Sequence, residues 1–174
     1  MAINAKGELG WFSPDPRALI PLDERFHIPH GLERALKRSP FEVTFDTEFE
    51  AVIDACSKTH GETWISQDIR QSYCALHRKG HAHSVEARRE GKLAGGLYGV
   101  HIAGAFFGES MFHFEANASG AALIALVERL RRGGFALLDT QWMTRHLARF
   151  GTCLIPKAEY LRLLAEALER PCVF

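Results

Sequence analysis

Apolar positions recur at helical spacing through the first part of the chain, switch to strand spacing between residues 81 and 114, and then alternate between the two. In the segment Gly31 to Arg38, Leu32, Ala35 and Leu36 fall on one side, which predicts a helix with Arg34, Lys37 and Arg38 clustered on another. Phe41 to Asp46 sets Phe41, Val43 and Phe45 against Glu42 and Thr44, the period of two of a half-buried strand. Thr47 to Cys56 is a helix with Phe49, Val52 and Ile53 inward. Gln67 to Arg78 is another, with Ser66 as its N-cap, Ile69, Tyr73 and Leu76 on its face and Gly80 past its end. His81 to Arg88, Lys92 to His101 and Ala105 to Phe114 then read as three strands. Their connections, Glu90-Gly91 and Ile102-Ala103-Gly104, are the short ones of an antiparallel meander.

After the meander, Asn117 or Ser119 caps a long helix that runs to Arg132, with Leu123, Leu126, Val127 and Leu130 inward and Gly133-Gly134 as its stop. Phe135 to Gln141 is a strand, Thr144 to Phe150 a short helix ended by Gly151, Thr152 to Ile155 a strand, and Pro156 to Glu169 a last helix with proline in its first turn. Near the start, Ser13-Pro14-Asp15-Pro16-Arg17 is a turn and Ala18 to Pro21 enters a short strand. A meander followed by alternating strands and helices predicts an α+β chain with a mixed central sheet and helices on its faces. Residues 1–174 are expected to form one domain, a size that buries roughly 70% of the surface exposed by the unfolded chain.

Charge narrows the partners. Lys plus Arg number 21 and so do Asp plus Glu, so any nucleic-acid contact must come from a local patch. Two clusters qualify, Arg34, Lys37 and Arg38, and Arg129, Arg131 and Arg132, although a solvated helix face is the commoner meaning of such a group. The four cysteines, at 56, 74, 153 and 172, form no C-x-x-C pair and read as reduced thiols of a cytoplasmic protein. Met1 to Gly10 lacks the apolar stretch of a secretory signal. The nearly uncharged run Leu93 to Phe107 is shorter than the roughly 20 residues a membrane helix needs.

Two stretches hold the candidate chemistry. The glycine-rich run Gly95 to Phe112 ends by placing Glu109 between Gly108 and Ser110 among Phe and Met residues, where a carboxylate is costly to desolvate without a partner. Leu137-Leu138-Asp139-Thr140-Gln141 puts Asp139 and Gln141 at the end of a strand, two apart and so on one face. Gly95, Gly96 and Gly99 leave room for something to approach the backbone. Other chemistries lack support: His27-x-x-His30 and His81-x-His83 have no further ligands at a metal-site spacing, no cysteine is set as a nucleophile, and there is no G-x-S-x-G, P-loop or G-x-G-x-x-G run. From the residues alone, Glu109 paired with an internal arginine and Asp139 and Gln141 merely ending a strand stand level with the functional reading.

Resemblance to a known family tips that balance. Phe12-Ser13-Pro14-Asp15-Pro16-Arg17, Pro40 to Phe45, Thr63-Trp64-Ile65, His81 to Glu86, Gly95 to Val100, Phe107 to Phe112, and Asp139-x-Gln141 followed by His146-Leu147-Ala148 make the chain similar to the leucyl/phenylalanyl-tRNA-protein transferases over nearly its whole length. The resemblance implies a sheet like that of the GNAT acyltransferases and no metal or other cofactor. It implies transfer of Leu or Phe, with Met as a further donor, from aminoacyl-tRNA to proteins that begin with Arg or Lys, marking them for degradation. The positions matching Glu109, Asp139 and Gln141 would carry the reaction, with Gln141 accepting a hydrogen bond from the attacking amine, Asp139 holding it, and Glu109 suited to the cationic acceptor terminus. The donor slot would be walled by Leu97, Phe106, Gly108, Leu126, Leu130 and Leu138, with Trp64 and Tyr73 near the donor's terminal adenosine, each of which also reads as core.

The chain departs from the family pattern in two places. It starts almost directly at Trp11-Phe12, without the usual N-terminal segment carrying Gly-Gly-Asp-Leu and Phe-Pro-Trp runs, so the resemblance leaves donor affinity and amino-acid preference open. After the G-E-S-M-F run it continues with His113-Phe114 in place of Ser and a basic residue. Two further readings stand beside transfer: an N-acetyltransferase using acetyl-CoA, for which a glycine-rich turn at a helix N-terminus is missing because Gly133-Gly134 follows a helix, and a non-catalytic binder of N-terminal Arg or Lys.

Overall fold

The computed structural model describes residues 2, 3, 9, 10, 12–59 and 64–174. A two-stranded ribbon, β1 (Ala2–Ile3) with β2 (Leu9–Gly10), precedes β3 (Arg17–Ile20), α1 (His30–Arg38), β4 (Glu42–Phe45), α2 (Phe49–Thr59) and α3 (Gln67–Arg78). The meander follows as β5 (Ala82–Arg89), β6 (Lys92–Ile102) and β7 (Ala105–His113), then α4 (Ala118–Arg132), β8 (Leu137–Gln141), α5 (Arg145–Ala148), β9 (Cys153–Ile155) and α6 (Lys157–Leu168). Seven strands form one sheet in the order β4-β5-β6-β7-β8-β3-β9. All pairings are antiparallel except β7 with β8, whose crossover is α4. This is the mixed α+β arrangement that the change of period predicts.

Local chemistry explains most boundaries. Ser66 Oγ accepts a hydrogen bond from the Ile69 N–H at 3.3 Å, and Thr144 Oγ1 does the same for Leu147 at 3.1 Å. Glu90 and Gly91 both take positive φ, 50° and 74°, the geometry of a two-residue hairpin turn. The expected cap of α4 does not form. Asn117 occupies the cap position, but its φ of +75° is left-handed, so its side chain makes no bond to the first turn, and Ser119 lies buried within the helix. A capping side chain needs an extended backbone to reach those N–H groups.

Helices cover both faces. On one, α4 buries Leu123, Leu126, Val127 and Leu130 against Val85, Leu97, Phe106 and Leu138, with Leu32 of α1 and Leu147 of α5 in the same cluster. On the other, α2 and α3 pack Val52, Ile53, Ile69 and Tyr73 against Ala82, Tyr98 and Phe112, while α6 packs Tyr160 and Ala167 against Leu19, Ala105 and Leu137. The glycines of β6 serve this packing and not a ligand. A Cβ at Gly95 would lie 2.7 Å from that of Ala118, and one at Gly99 would overlap the Phe106 ring. What approaches the backbone there is the chain's own α4 and core.

Candidate active site

The site arises where the sheet opens. β7 and β8 are paired only from Ala105↔Leu137 to Phe107↔Asp139, and beyond that the two strands part. Each carries one extra residue at the opening. Against β6, Tyr98 pairs with Ser110 and Gly99 with Gly108, leaving Glu109 over; against β3, Leu19 pairs with Asp139 and Ala18 with Gln141, leaving Thr140 over. Such bulges re-aim side chains and interrupt pairing. The result is a cavity of about 600 Å³. Leu97, Met111, Leu123, Leu126 and Leu138 make its apolar wall, and Glu109, Ser110 and Gln141 bring polar groups to it.

Glu109 is partly buried and faces this cavity. Burial is the largest cause and pushes its carboxyl above the ordinary range; among the described residues, a hydrogen bond from Tyr73 and the charge of Arg17 pull the other way and the charge of Asp139 adds to the rise. Among the described residues it forms no ion pair, so the arginine partner of the structural reading is not there. Burial and the neighbouring Glu109 push the Tyr73 phenol up, which keeps it a donor.

Asp139 is 0% exposed and lies behind the strand, outside the cavity lining. Its carboxylate accepts from Arg17 Nε at 3.0 and 3.1 Å, Arg17 Nη2 at 2.7 Å, Tyr160 Oη at 2.7 Å and the Gln141 backbone N–H at 2.8 Å. Gln141 has a φ of +60°. The expected side-by-side arrangement of Asp139 and Gln141 is therefore absent, because the bulge at Thr140 and the left-handed Gln141 break the two-residue repeat. Asp139 faces α6, Gln141 lines the cavity, and the link between them is a main-chain bond.

Of the residues expected to wall the slot, Leu97, Gly108, Leu126 and Leu138 line the cavity, as does Trp64, expected near the adenosine. Phe106 and Leu130, both 0% exposed, do not: Phe106 is held in the core under Gly99, and Leu130 lies a full helical turn beyond Leu126. Tyr73 stands behind Glu109, edge-on to Trp64 with centroids 6.4 Å apart. Thr63 of the Thr-Trp-Ile block and Trp11 lie outside the described residues. Leu123, one turn before Leu126 and also on the cavity, was legible only as a member of the same inward stripe. Met111, Trp142 and His146 were not, since a bulge and a four-residue helix bring them to the cavity.

The two basic clusters behave differently. Positions 34, 37 and 38 share a helix face; Arg34 and Arg38 are exposed and border a notch that also holds Arg89, and Lys37 pairs with Glu33 at 2.6 Å. Arg129 and Arg131 are about 200° apart on α4 and form no single patch. Arg129 lies over the Phe45 and Phe174 rings at 4.8 and 5.2 Å, Arg131 donates to the Leu22 and Asp23 carbonyls, and Arg132 pairs with Glu128 at 3.7 Å. Of the histidine pairs, His83 is engaged by Asp46 at 2.7 Å and by His101 at 2.9 Å, and the His27 and His30 rings sit edge-on at 5.9 Å.

Comparison with known proteins agrees with this architecture and sharpens it. Among solved structures, the chain is similar to a conserved protein of unknown function from Bacteroides thetaiotaomicron, with a TM-score of 0.50 and 12% identity over 79% of this chain and 54% of that one. A ribosomal-protein-alanine N-acetyltransferase from Brucella melitensis biovar Abortus 2308 is also similar, with a TM-score of 0.45 and 10% identity over 63% of this chain and 86% of that one. In sequence, it is 55% identical to a leucyl/phenylalanyl-tRNA--protein transferase of Herpetosiphon aurantiacus over 99% of this chain and 90% of that one. It is likewise 55% identical to one of Akkermansia muciniphila, covering 97% and 89%, and 53% identical to one of Salinibacter ruber, covering 97% and 74%. The family model described as leucyl/phenylalanyl-tRNA protein transferase matches residues 19–165, a span that holds Glu109, Asp139, Gln141 and the whole opening between β7 and β8, and this chain belongs to that family.

Proposed function

We propose that this protein moves leucine or phenylalanine, with methionine as a further donor, from aminoacyl-tRNA to the N-terminal Arg or Lys of acceptor proteins in the cytoplasm, and so marks them for degradation. The observation that carries the reading is a single cavity that joins an apolar wall to a carboxylate without a cationic partner among the described residues and to the cavity-lining Gln141. The chemistry asks little of the protein. An aminoacyl ester is already activated, and an α-amine with a pKa of about 7.7 to 8.0 is partly neutral at cellular pH, so positioning supplies most of the rate.

In this reading the donor side chain enters between Leu97, Met111, Leu126 and Leu138, and Trp64 meets the terminal adenosine. Gln141 accepts a hydrogen bond from the acceptor amine, which attacks the ester carbonyl; the C–N bond forms, the C–O bond breaks, and the amine's proton ends on the departing 3′ oxygen. Glu109 meets the positive side of the acceptor terminus, where a charged hydrogen bond is stronger than a neutral one. The exposed Arg34, Lys37 and Arg38 provide the phosphate contacts.

The test is transfer of labelled leucine from Leu-tRNA to a peptide beginning with Arg, run beside an otherwise identical peptide beginning with Glu and beside labelled acetyl-CoA. Label should pass from Leu-tRNA to the Arg peptide alone. Acetylation would favour the N-acetyltransferase reading, and peptide binding with no transfer would leave a binder.

A further inference from the structure

We infer that Arg17 and Tyr160 are positioning residues for the transfer, acting through Asp139 on the main chain of Gln141, and that Asp139 itself takes no proton; the role rests on the aminoacyl-transfer reading of the site.

A carboxylate has about four lone-pair positions, and those of Asp139 are filled. Arg17 Nε and Nη2, the Tyr160 hydroxyl and the Gln141 N–H all donate to it, at 2.7 to 3.1 Å. With 0% exposure, neither water nor substrate reaches it. The amide side chain of Gln141 is not among its donors; only the backbone N–H is. That bond has a definite use. Gln141 sits at φ +60°, a left-handed conformation that is costly for a residue with a side chain, and an extended residue in its place would not keep the side chain on the cavity. Asp139 holds the costly conformation, and Arg17 and Tyr160 hold Asp139.

They do so from two directions. Arg17 comes from β3, the antiparallel neighbour of β8, and binds the carboxylate with two nitrogens. Tyr160 comes from α6, and its ring lies 4.8 Å under the Arg17 guanidinium. Arg17 also acts on Glu109. Among the described residues, the charged and titratable groups acting on that carboxyl from packed elements are Tyr73 of α3, Asp139 of β8 and Arg17 of β3. Arg17 lowers and Asp139 raises its affinity for a proton, so the two act in opposite directions. Removing Arg17 alone leaves Asp139 unscreened, and Glu109 should then hold its proton to higher pH.

The experiment uses the full chain, the Leu-tRNA and Arg-peptide assay, and melting temperatures measured alongside. Asp139→Asn should lower kcat by about two orders of magnitude, since it strands Arg17 against an amide N–H. The double variant Arg17→Gln with Asp139→Asn restores an uncharged set in which the new glutamine oxygen accepts from the new asparagine, whose own oxygen still accepts from the Gln141 N–H. It should regain at least about tenfold of the lost kcat, with donor KM unchanged. Tyr160→Phe should lower kcat by about threefold to tenfold without moving the acid limb of the pH profile. Arg17→Gln should move that limb to higher pH, and Arg17→Lys should move it back.

If the double variant is no better than Asp139→Asn alone, the charge of Asp139 is needed in the chemistry and the inference falls. It falls equally if the double variant does not fold and Tyr160→Phe loses activity only in proportion to the fraction unfolded. A wild-type chain that transfers nothing would sink the reading of the site itself, whereas an active wild type with either of those results sinks this inference alone.

Discussion

Glu109 is a carboxylate taken partly out of water, hydrogen-bonded to one phenol and paired with no described cation, which is a state that favours an incoming positive charge. Its raised pKa makes the ionised form cost the fold stability. Because the folded value lies above the ordinary one, this cost is full above the folded pKa, shrinks as pH falls through it, and is gone below the ordinary value of 4.5. Glu109→Gln keeps the bond to Tyr73 and removes the charge, so its melting temperature at pH 7 should equal or exceed that of the wild type, with the difference closing below pH 4.5. Affinity for an Arg-initiated peptide should drop by about one to two orders of magnitude, the worth of a charged hydrogen bond. A variant that melts lower and binds the peptide normally would make Glu109 a structural group. On the apolar side, Leu126→Ala opens the slot wall, and the ratio of kcat/KM for Phe over Leu donors should rise by about tenfold, since a methylene or two in such a pocket is worth that much.

At the scale of elements, the bulges do what regular strands could not. Glu109 and Thr140 are each surplus to their ladders, and the change of parity they impose lets β7 send Phe107 toward the face of α6 and Phe112 toward that of α2 and α3. Glu109 lies at that bulge, hydrogen-bonded to Tyr73 of α3 and facing the cavity. The glycines flanking the bulge are not equivalent. A Cβ at Gly99 would collide with both the Phe107 carbonyl and the Phe106 ring, so Gly99→Ala must move backbone and core together and should cost about 1 to 3 kcal/mol. Its melting temperature should fall by roughly 3 to 10 °C. At Gly108 the nearest atom is the Asp139 carbonyl at 3.6 Å, ordinary van der Waals separation, so Gly108→Ala should melt like the wild type and alter only the donor side of the cavity.

Across the whole molecule the net charge is zero, so tRNA must be held by local cations and released steeply by salt. Arg34 and Arg38 are exposed on α1 and form no ion pair among the described residues, whereas Arg129 is spent on the Phe45 and Phe174 rings and Arg131 on two carbonyls. Replacing Arg34 and Arg38 with Glu should weaken tRNA binding with little change in melting temperature. The slope of log K against log salt should flatten by about 0.7 to 0.9 for each phosphate that is no longer neutralised. Arg129→Glu should lower the melting temperature instead, because it removes a cation from two aromatic faces. If the α1 variant binds tRNA normally, the phosphates are met by another surface.

The sequence by itself determined which segments are helices and which are strands, because the two periods dictate which positions can be buried and because glycine, proline and capping hydroxyls end elements locally. Ser66, Gly80, Gly134 and Gly151 mark their helix ends with no help from the rest of the chain. It also pointed to Glu109, Asp139 and Gln141 as the polar groups of two apolar stretches. Their relationship came only from the tertiary structure. Strand parity predicts that Asp139 and Gln141 share a face, and one surplus residue on β8, visible only in its register against β3, sends them to opposite sides. Arg17 and Tyr160 lie 122 and 21 residues from Asp139, so nothing local announces that they fill its carboxylate. Nor does anything local distinguish Leu126 on the cavity from Leu130 in the core, since both continue one apolar stripe. Where the sheet opens depends on where pairing between β7 and β8 stops, and that is settled by interactions among strands far apart in the chain.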